Sequence, residues 1–177
     1  MKILDFSNFK LNEELEFKMV RTDYEKIKTP SLFPNISGYD DIYRFVSNKG
    51  NSYDVYFSLT NERDHILSNG KNLHSYNIDK IPTIFFSLTE RGLDSMSFDK
   101  LTGNDERLEI MGKVVWLINE YDKINNFSIY SIGEVNAKKF EFYSRYLHNI
   151  SQFKIFEGDS DNYNGKKCYY LVNENRR

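Results

Sequence analysis

The stretch that decides the fold covers residues 108–147 and reads LEIMGKVVWLINEYDKINNFSIYSIGEVNAKKFEFYSRYL. It begins with apolar residues three and four positions apart, which is the period of one buried helix face. These residues are Leu108, Met111, Val114, Val115, Ile118 and Tyr121. Asn125 and Asn126 then interrupt the helical pattern, and residues 127–132 have the composition of a strand. A second helical face follows, made of Phe140, Tyr143, Leu147 and Ile150. The stretch therefore predicts a helix, a strand and a second helix.

The rest of the chain predicts antiparallel strands around this unit. Runs rich in aromatic and β-branched residues are separated by turn-forming residues such as Asn48 and Gly50. The predicted strands cover residues 43–46, 53–59, 82–88, 153–156 and 168–172. This order of elements predicts a single α+β domain over residues 1–177, with a mainly antiparallel sheet covered by two principal helices.

Two segments lack a clear strand pattern. In the N-terminal segment, residues 1–38, an amphipathic stretch is followed by Thr29-Pro30 and Phe33-Pro34, and the residue before a proline avoids the helical region. We therefore predict an ordered loop at residues 28–38, with the sheet and helices in residues 39–177. A second, polar loop is predicted at residues 60–79.

Composition limits the classes of function. The chain has 177 residues, of which 40% are hydrophobic and 16% aromatic, so it can fold around a core. Its formal net charge is -2 and its pI is about 6.0. Proteins that grip nucleic acid usually carry a basic excess, and the basic pairs here are short. Nucleic-acid binding is therefore not expected.

Cysteine usage and the N-terminus indicate the compartment. Cys168 is the only cysteine, so no intrachain disulfide can form, and its aromatic neighbours favour a small buried residue over a nucleophile. Residues 1–5 carry a lysine and an aspartate and start no long apolar run, which predicts neither a secretory signal nor a membrane span. A cytoplasmic protein, of the host cell or of a virion assembled there, is expected.

Metal sites are not predicted. The three histidines, His65, His74 and His148, lack the spacing of a zinc pair or of a zinc knuckle and are expected at the surface. The acidic run that begins at Asp159 has Asn164 where a calcium loop needs glycine. A polar hairpin loop is the simpler interpretation of that run.

One segment suggests an enzyme. Asn136-Ala137 with Phe142-Tyr143 resembles the late helix of the GCN5-related N-acetyltransferases, and the order of elements over residues 83–172 is similar to that fold. The resemblance implies acetyl-coenzyme A as cofactor, with Thr102, Gly103, Asn104 and Asn136 in contact with it. It also implies that Tyr143 protonates the departing thiolate.

The matching phosphate loop differs from the family pattern. That family cradles the cofactor pyrophosphate on backbone amides of a glycine-rich loop, whereas residues 101–107 supply one glycine, Gly103, followed by Asp105 and Glu106. Carboxylates suit the positive end of a helix but repel phosphates. The acyltransferase function is therefore kept as the alternative hypothesis.

The leading hypothesis is protein binding. The chain resembles uncharacterised proteins of bacteriophages and mobile elements through residues 53–57, Thr102-Gly103 and residues 139–143. Tyr and Phe are abundant, as at protein interfaces, and no complete catalytic motif is present. We therefore expect an accessory protein without catalysis of its own, either a subunit of a larger particle or an inhibitor of a host protein. Self-association into a homo-oligomer is a further alternative.

Overall fold

The computed structural model describes residues 19–30, 39–60, 66–76, 80–89, 104–135, 137–158 and 167–176. The strands are β1 (Glu25–Pro30), β2 (Tyr39–Val46), β3 (Ser52–Thr60), β4 (Ile81–Leu88), β5 (Ile129–Val135), β6 (Lys154–Glu157) and β7 (Lys167–Val172). The helices are α1 (Asn104–Asn125), α2 (Ala137–Leu147) and a short 3₁₀ helix, Leu73–Tyr76.

The seven strands form one sheet in the order β1-β2-β3-β4-β5-β7-β6. Neighbouring strands are antiparallel except β4 and β5, which are parallel. A parallel pair needs a crossover connection, and α1 lies in the connection between these two strands. The predicted α+β fold, with a mainly antiparallel sheet and two helices, is confirmed for the described residues.

Both helices cover the same face of the sheet. Tyr53, Val55 and Phe57 of β3 alternate toward this face, as the period of two requires, and each is almost fully buried. The ring of Phe57 stacks on that of Tyr121 of α1 at a centroid distance of 3.8 Å. Tyr143 of α2 belongs to the same core cluster. We call this surface the helix face.

The predicted course of α1 is confirmed. Met111, Val115 and Ile118 are at most 1% exposed, as expected from their helical spacing. The helix ends at Asn125 because Asn126 takes a positive φ of 55°, a conformation that asparagine tolerates better than most residues. The amide of Asn126 still donates to the carbonyl of Asp122 at 2.8 Å and so closes the last turn.

The opposite face of the sheet is covered in part by residues 66–76. Leu67, Leu73 and Tyr76 are buried there against a second core cluster that includes Ile129 and Tyr170. This corrects the prediction of a polar loop at residues 60–79, since apolar anchors hold part of it to the sheet. Cys168 is buried in the same cluster, which confirms its predicted packing role.

Strand β1 corrects the N-terminal prediction. The sheet begins at Glu25 rather than after residue 38, and β1 pairs with β2 from Glu25↔Arg44 to Pro30↔Tyr39. Proline is tolerated here because β1 is an edge strand and Pro30 is its last residue. Strand β5 also differs from the prediction, because it starts at Ile129 and extends to Val135.

Candidate functional site

The parallel strands β4 and β5 share a single registered pair, Thr83↔Ser131. Regular parallel pairing continues with evenly spaced hydrogen bonds, but here both strands extend past the pair, to Leu88 and Val135, without another registered pair. The pairing of β5 with β7 shifts between Ser131 and Gly133, so β5 changes its course at the same level. We infer from the missing further pairs that the two strands separate toward their C-terminal ends.

The start of α1 lies at the same end of the sheet. Leu88 of β4 pairs with Tyr53 of β3, and the hydroxyl of Tyr53 contacts a carboxylate oxygen of Glu106 at 3.4 Å. Glu106 lies in the first turn of α1. The C-terminal end of β4 and the N-terminus of a 22-residue helix are therefore neighbours. In open sheets, ligands bind outside the carboxyl ends of parallel strands, where a helix N-terminus attracts anions.

Helix α2 contributes aromatic side chains beside the separating strands. The ring of Tyr143 meets that of Phe86 of β4 edge-on, with centroids 5.7 Å apart. Phe86 lies beyond the single registered pair, so Tyr143 is placed next to the diverging half of β4. Burial raises the pKa of Tyr146, whereas the charges of Arg145 and Arg107 oppose that shift. Arg107 of α1 is thus close enough to α2 to act on it electrostatically.

We call this region the β4–β5 mouth. It comprises residues 84–88 of β4, residues 132–135 of β5, the first turn of α1, and Tyr143 of α2. Its strand edges offer backbone groups to an extended ligand, and its helix end offers a partial positive charge.

Glu106 does not direct its charge into the mouth. Its side chain is fully buried and accepts hydrogen bonds from the hydroxyl of Ser47 at 3.0 Å and the side-chain amide of Asn51 at 2.9 Å. The ammonium of Lys49 is 3.8 Å away. Burial, followed by the negative charge of Glu106, raises the pKa of Tyr53. The carboxylate of Glu106, one of the two expected to repel a phosphate, is therefore hydrogen-bonded to the β2–β3 hairpin.

The residues predicted from the acetyltransferase resemblance are only partly described. Tyr143 is 7% exposed and belongs to the helix-face core. Asn104 is the first residue of α1, at the mouth. Thr102, Gly103 and Asn136 lie outside the described residues, and contact with a cofactor stays a prediction for all of them.

Sequence reasoning missed a buried ionic pair on the other face of the sheet. Asp54 of β3 is 3% exposed, and its carboxylate accepts two hydrogen bonds from Arg44 of β2, at 2.8 and 3.0 Å. Thr89 donates to the same carboxylate at 3.0 Å. Asp54 also raises the pKa of the Arg44 guanidinium by hydrogen bonding. The available signal was a carboxylate in a strand that has no other charged residue, but its partners were not evident from spacing.

Among the described residues, neither the histidines nor a cluster of metal-binding side chains forms a second candidate site. His74 and His148 are exposed, as predicted, whereas His65 and the acidic run from Asp159 lie outside the described residues. Among the described residues, no group of three or more His, Cys, Asp and Glu side chains could hold a metal ion. The same residues include no helix long and apolar enough to cross a membrane.

Comparison with known proteins found no matching family model, no matching curated protein and no matching solved structure.

Proposed function

We propose that the β4–β5 mouth binds acetyl-coenzyme A and that the protein transfers an acetyl group to an amine. The observation that carries the proposal is the parallel β4–β5 pair, which has one registered residue pair beside the N-terminus of α1. The order β4-α1-β5-α2-β6-β7 is also the order expected from the acetyltransferase resemblance. A pantetheine arm is elongated and ends in phosphates, so its shape and charge match the mouth.

Each part of the mouth has a role in this proposal. The amides of the first turn of α1, which begins at Asn104, would hold the pyrophosphate, as helix N-termini hold anions. Ser47 and Asn51 hold the carboxylate of Glu106 against the β2–β3 hairpin, and the ammonium of Lys49, 3.8 Å away, partly offsets its negative charge. The backbone edges of β4 and β5 would bond the pantetheine arm as an added strand would.

Tyr143 is the proposed acid. Acetyl-coenzyme A, when bound, would supply an acetyl group activated as a thioester. The hydroxyl of Tyr143 would give its proton to the departing sulfur as the amine forms its bond to the acetyl carbon and the carbon–sulfur bond breaks. The proton that the amine nitrogen then loses would restore the tyrosine hydroxyl. The contact between the rings of Tyr143 and Phe86 supports this role, because it keeps the tyrosine beside the diverging half of β4.

A thermal-shift titration tests cofactor binding. A ligand present at a hundred times its dissociation constant stabilises the native state by about 2.7 kcal/mol. For a chain of this length, that corresponds to roughly 5–10 °C in melting temperature. Acetyl-coenzyme A should produce this shift, and acetyl phosphate, which lacks the pantetheine arm, should not. No shift at millimolar acetyl-coenzyme A would refute the proposal.

Two variants locate the site. Ile132→Trp adds bulk to β5 just past the registered pair and should abolish the thermal shift. Ile155→Trp adds the same bulk to β6, on the same face of the sheet but away from the mouth, and should leave the shift unchanged. Tyr143→Phe should keep the shift and lower turnover with a general amine acceptor at least tenfold. Equal shifts in both tryptophan variants would argue against binding in the mouth.

Protein binding, the leading hypothesis from the sequence, is the second candidate function. Large apolar side chains are exposed near the β1 edge of the sheet: Met19 is 45% exposed, Tyr24 39% and Val46 52%. The amide of Val20 donates to the carbonyl of Gly112, and the side-chain ammonium of Lys113 donates to the carbonyl of Val46. These two hydrogen bonds hold the chain segment before β1 and the end of β2 against the middle of α1. Exposed apolar patches are typical of protein contacts. The origin in a phage or mobile element remains a prediction.

Photo-crosslinking tests this second function. A benzoylphenylalanine at position 24 should give one discrete crosslinked product, either with a second copy of the chain or with a partner protein. The same residue at position 124 is the control, because Ile124 is 68% exposed and lies at the other end of α1. Equal or absent products at both positions would count against a docking surface near β1.

A further inference from the structure

An open cleft of about 550 Å³ lies between the segment that precedes β1 and the middle of α1. It is lined by Arg21, Thr22, Asp23, Tyr24, Trp116 and Glu120. Small-molecule sites commonly have volumes of about 300–1,000 Å³. The cleft is therefore large enough for a ligand of amino-acid size, and it is separate from the β4–β5 mouth.

Two aromatic rings form one wall of the cleft. The rings of Tyr24 and Trp116 have centroids 6.1 Å apart and are tilted by 55°. The next ring, that of Tyr43, is 5.0 Å from Tyr24 and already carries the ammonium of Lys26 at 5.2 Å from its centroid. Within the described part of the chain, no cation lies over the rings of Tyr24 and Trp116. Aromatic rings of this kind can stack on a planar cation.

Charged side chains complete the cleft. Asp23 forms no ion pair within the described residues, and Glu120 is paired with Lys123 from the same helix. Arg21 lines the cleft with the opposite charge. A ligand that carries both a planar cation and a carboxylate would pair its cation with the two carboxylates and its own carboxylate with the guanidinium.

We infer that this cleft binds arginine, either as the free amino acid or as a residue of a peptide. The guanidinium of the ligand stacks on Trp116 and Tyr24 and pairs with Asp23 and Glu120. Arginine fits better than lysine because its cation is planar and combines stacking with bidentate pairing. When the ligand is the free amino acid, Arg21 binds its carboxylate.

Tryptophan fluorescence reads this site directly, because Trp116 is the only tryptophan of the chain. Titration with L-arginine or with Nα-acetyl-arginine amide should change the emission of Trp116 with saturation in the millimolar range. Citrulline, a neutral molecule of nearly the same shape, should have little effect. An equal response to citrulline, or no response to either arginine compound at 20 mM, would overturn the inference. A response to benzoate alone, an aromatic anion that carries no cation, would overturn it as well.

Charge variants separate the contributions. Asp23→Asn should weaken the binding of both arginine compounds about three- to tenfold, whereas Lys123→Gln should strengthen it about threefold by releasing Glu120. Arg21→Gln should weaken L-arginine but not the amide, and this difference identifies the free amino acid as the ligand. Glu141→Gln, an exposed carboxylate change on α2, is the control and should change nothing. Equal effects of Asp23→Asn and Glu141→Gln would contradict the assignment.

Discussion

Arg176 holds the C-terminal end of α1, and its removal gives the sharpest prediction. Its guanidinium binds both carboxylate oxygens of Asp122, at 2.5 and 2.8 Å, and donates to the carbonyl of Phe127 at 3.0 Å. The guanidinium also lies over the ring of Phe153, 5.7 Å from its centroid. Asp122 is 1% exposed, so the guanidinium of Arg176, rather than water, compensates its negative charge.

The expected loss of stability follows from this burial. Breaking a buried ion pair costs about 3–5 kcal/mol because the remaining charge is left without compensation. The side chain of Arg176 is 25% exposed, which places the loss at the lower end of that range. In Arg176→Ala, Asp122 keeps the hydroxyl of Tyr130 at 2.7 Å and the distant amide of Gln152. We expect the free energy of unfolding to fall by about 3 kcal/mol.

Urea and thermal unfolding measure this change. The urea midpoint should fall by about 1.5 M for a slope of roughly 2 kcal/mol per M, and the melting temperature by about 6–12 °C. Arg145→Ala is the matched control, because Arg145 pairs with Glu141 on α2 in an exposed i,i+4 bridge and should lose at most about 0.5 kcal/mol.

A double-mutant cycle isolates the pair. Asp122→Asn in the Arg176→Ala background should recover part of the loss, since it removes the uncompensated charge, and the interaction free energy should be about 2 kcal/mol. If Arg176→Ala costs no more than Arg145→Ala, or if the effects of the two substitutions at positions 122 and 176 simply add, the reasoning from burial is wrong.

Three further predictions concern other buried contacts. Glu106→Ala should lower the free energy of unfolding, measured in urea, by about 2–3 kcal/mol, because Ser47, Asn51 and Tyr53 lose the carboxylate that accepts their hydrogen bonds. A loss below about 1 kcal/mol would contradict this prediction. Gly158→Ala should cost about 1–3 kcal/mol in the same assay, because its Cβ would meet the ring of Tyr170 at 2.6 Å; an unchanged midpoint would refute the clash. Burial raises the pKa of Tyr121 and Tyr130 above the ordinary 10.0, so the stability that they contribute is complete below pH 10. Above pH 10 these tyrosines ionise in the unfolded chain before they ionise in the folded protein. The free energy of unfolding should therefore fall by about 1.4 kcal/mol per pH unit for each of the two tyrosines. A urea midpoint that stays constant from pH 10 to 11.5 would exclude this prediction.

The central helix–strand–helix unit was predictable because its apolar residues serve one buried surface. Met111, Val115 and Ile118 repeat with the period of a helix whose other side is more polar. The end of α1 was also predictable, because Asn125 and Asn126 interrupt the helical pattern and Asn126 adopts a positive φ. Local patterns of this kind need no knowledge of distant partners.

Strand β1 was missed for a physical reason. An edge strand makes ladder bonds on one side only, and β1 buries none of its side chains fully, so it lacks an apolar alternation. The sequence between Glu25 and Pro30 contains three charged residues and a terminal proline, which resembles a loop. Only the register with β2 reveals the strand, and register is a long-range property.

The candidate site was predictable only in outline. The resemblance indicated Tyr143 and the start of α1, and the structure puts both beside the diverging half of β4. The orientation of Glu106 was beyond sequence reasoning, because its partner Ser47 is 59 positions away. The sequence indicates only that this carboxylate would repel a phosphate, whereas in the structure it links α1 to the β2–β3 hairpin by hydrogen bonds.

Helix α1 is therefore fixed at both ends by buried carboxylates. Glu106 binds the β2–β3 hairpin at one end, and Asp122 binds Arg176 at the other. Such charge-assisted bonds are directional and resist displacement. Entry of a ligand into the β4–β5 mouth, as we propose, should therefore leave α1 in place.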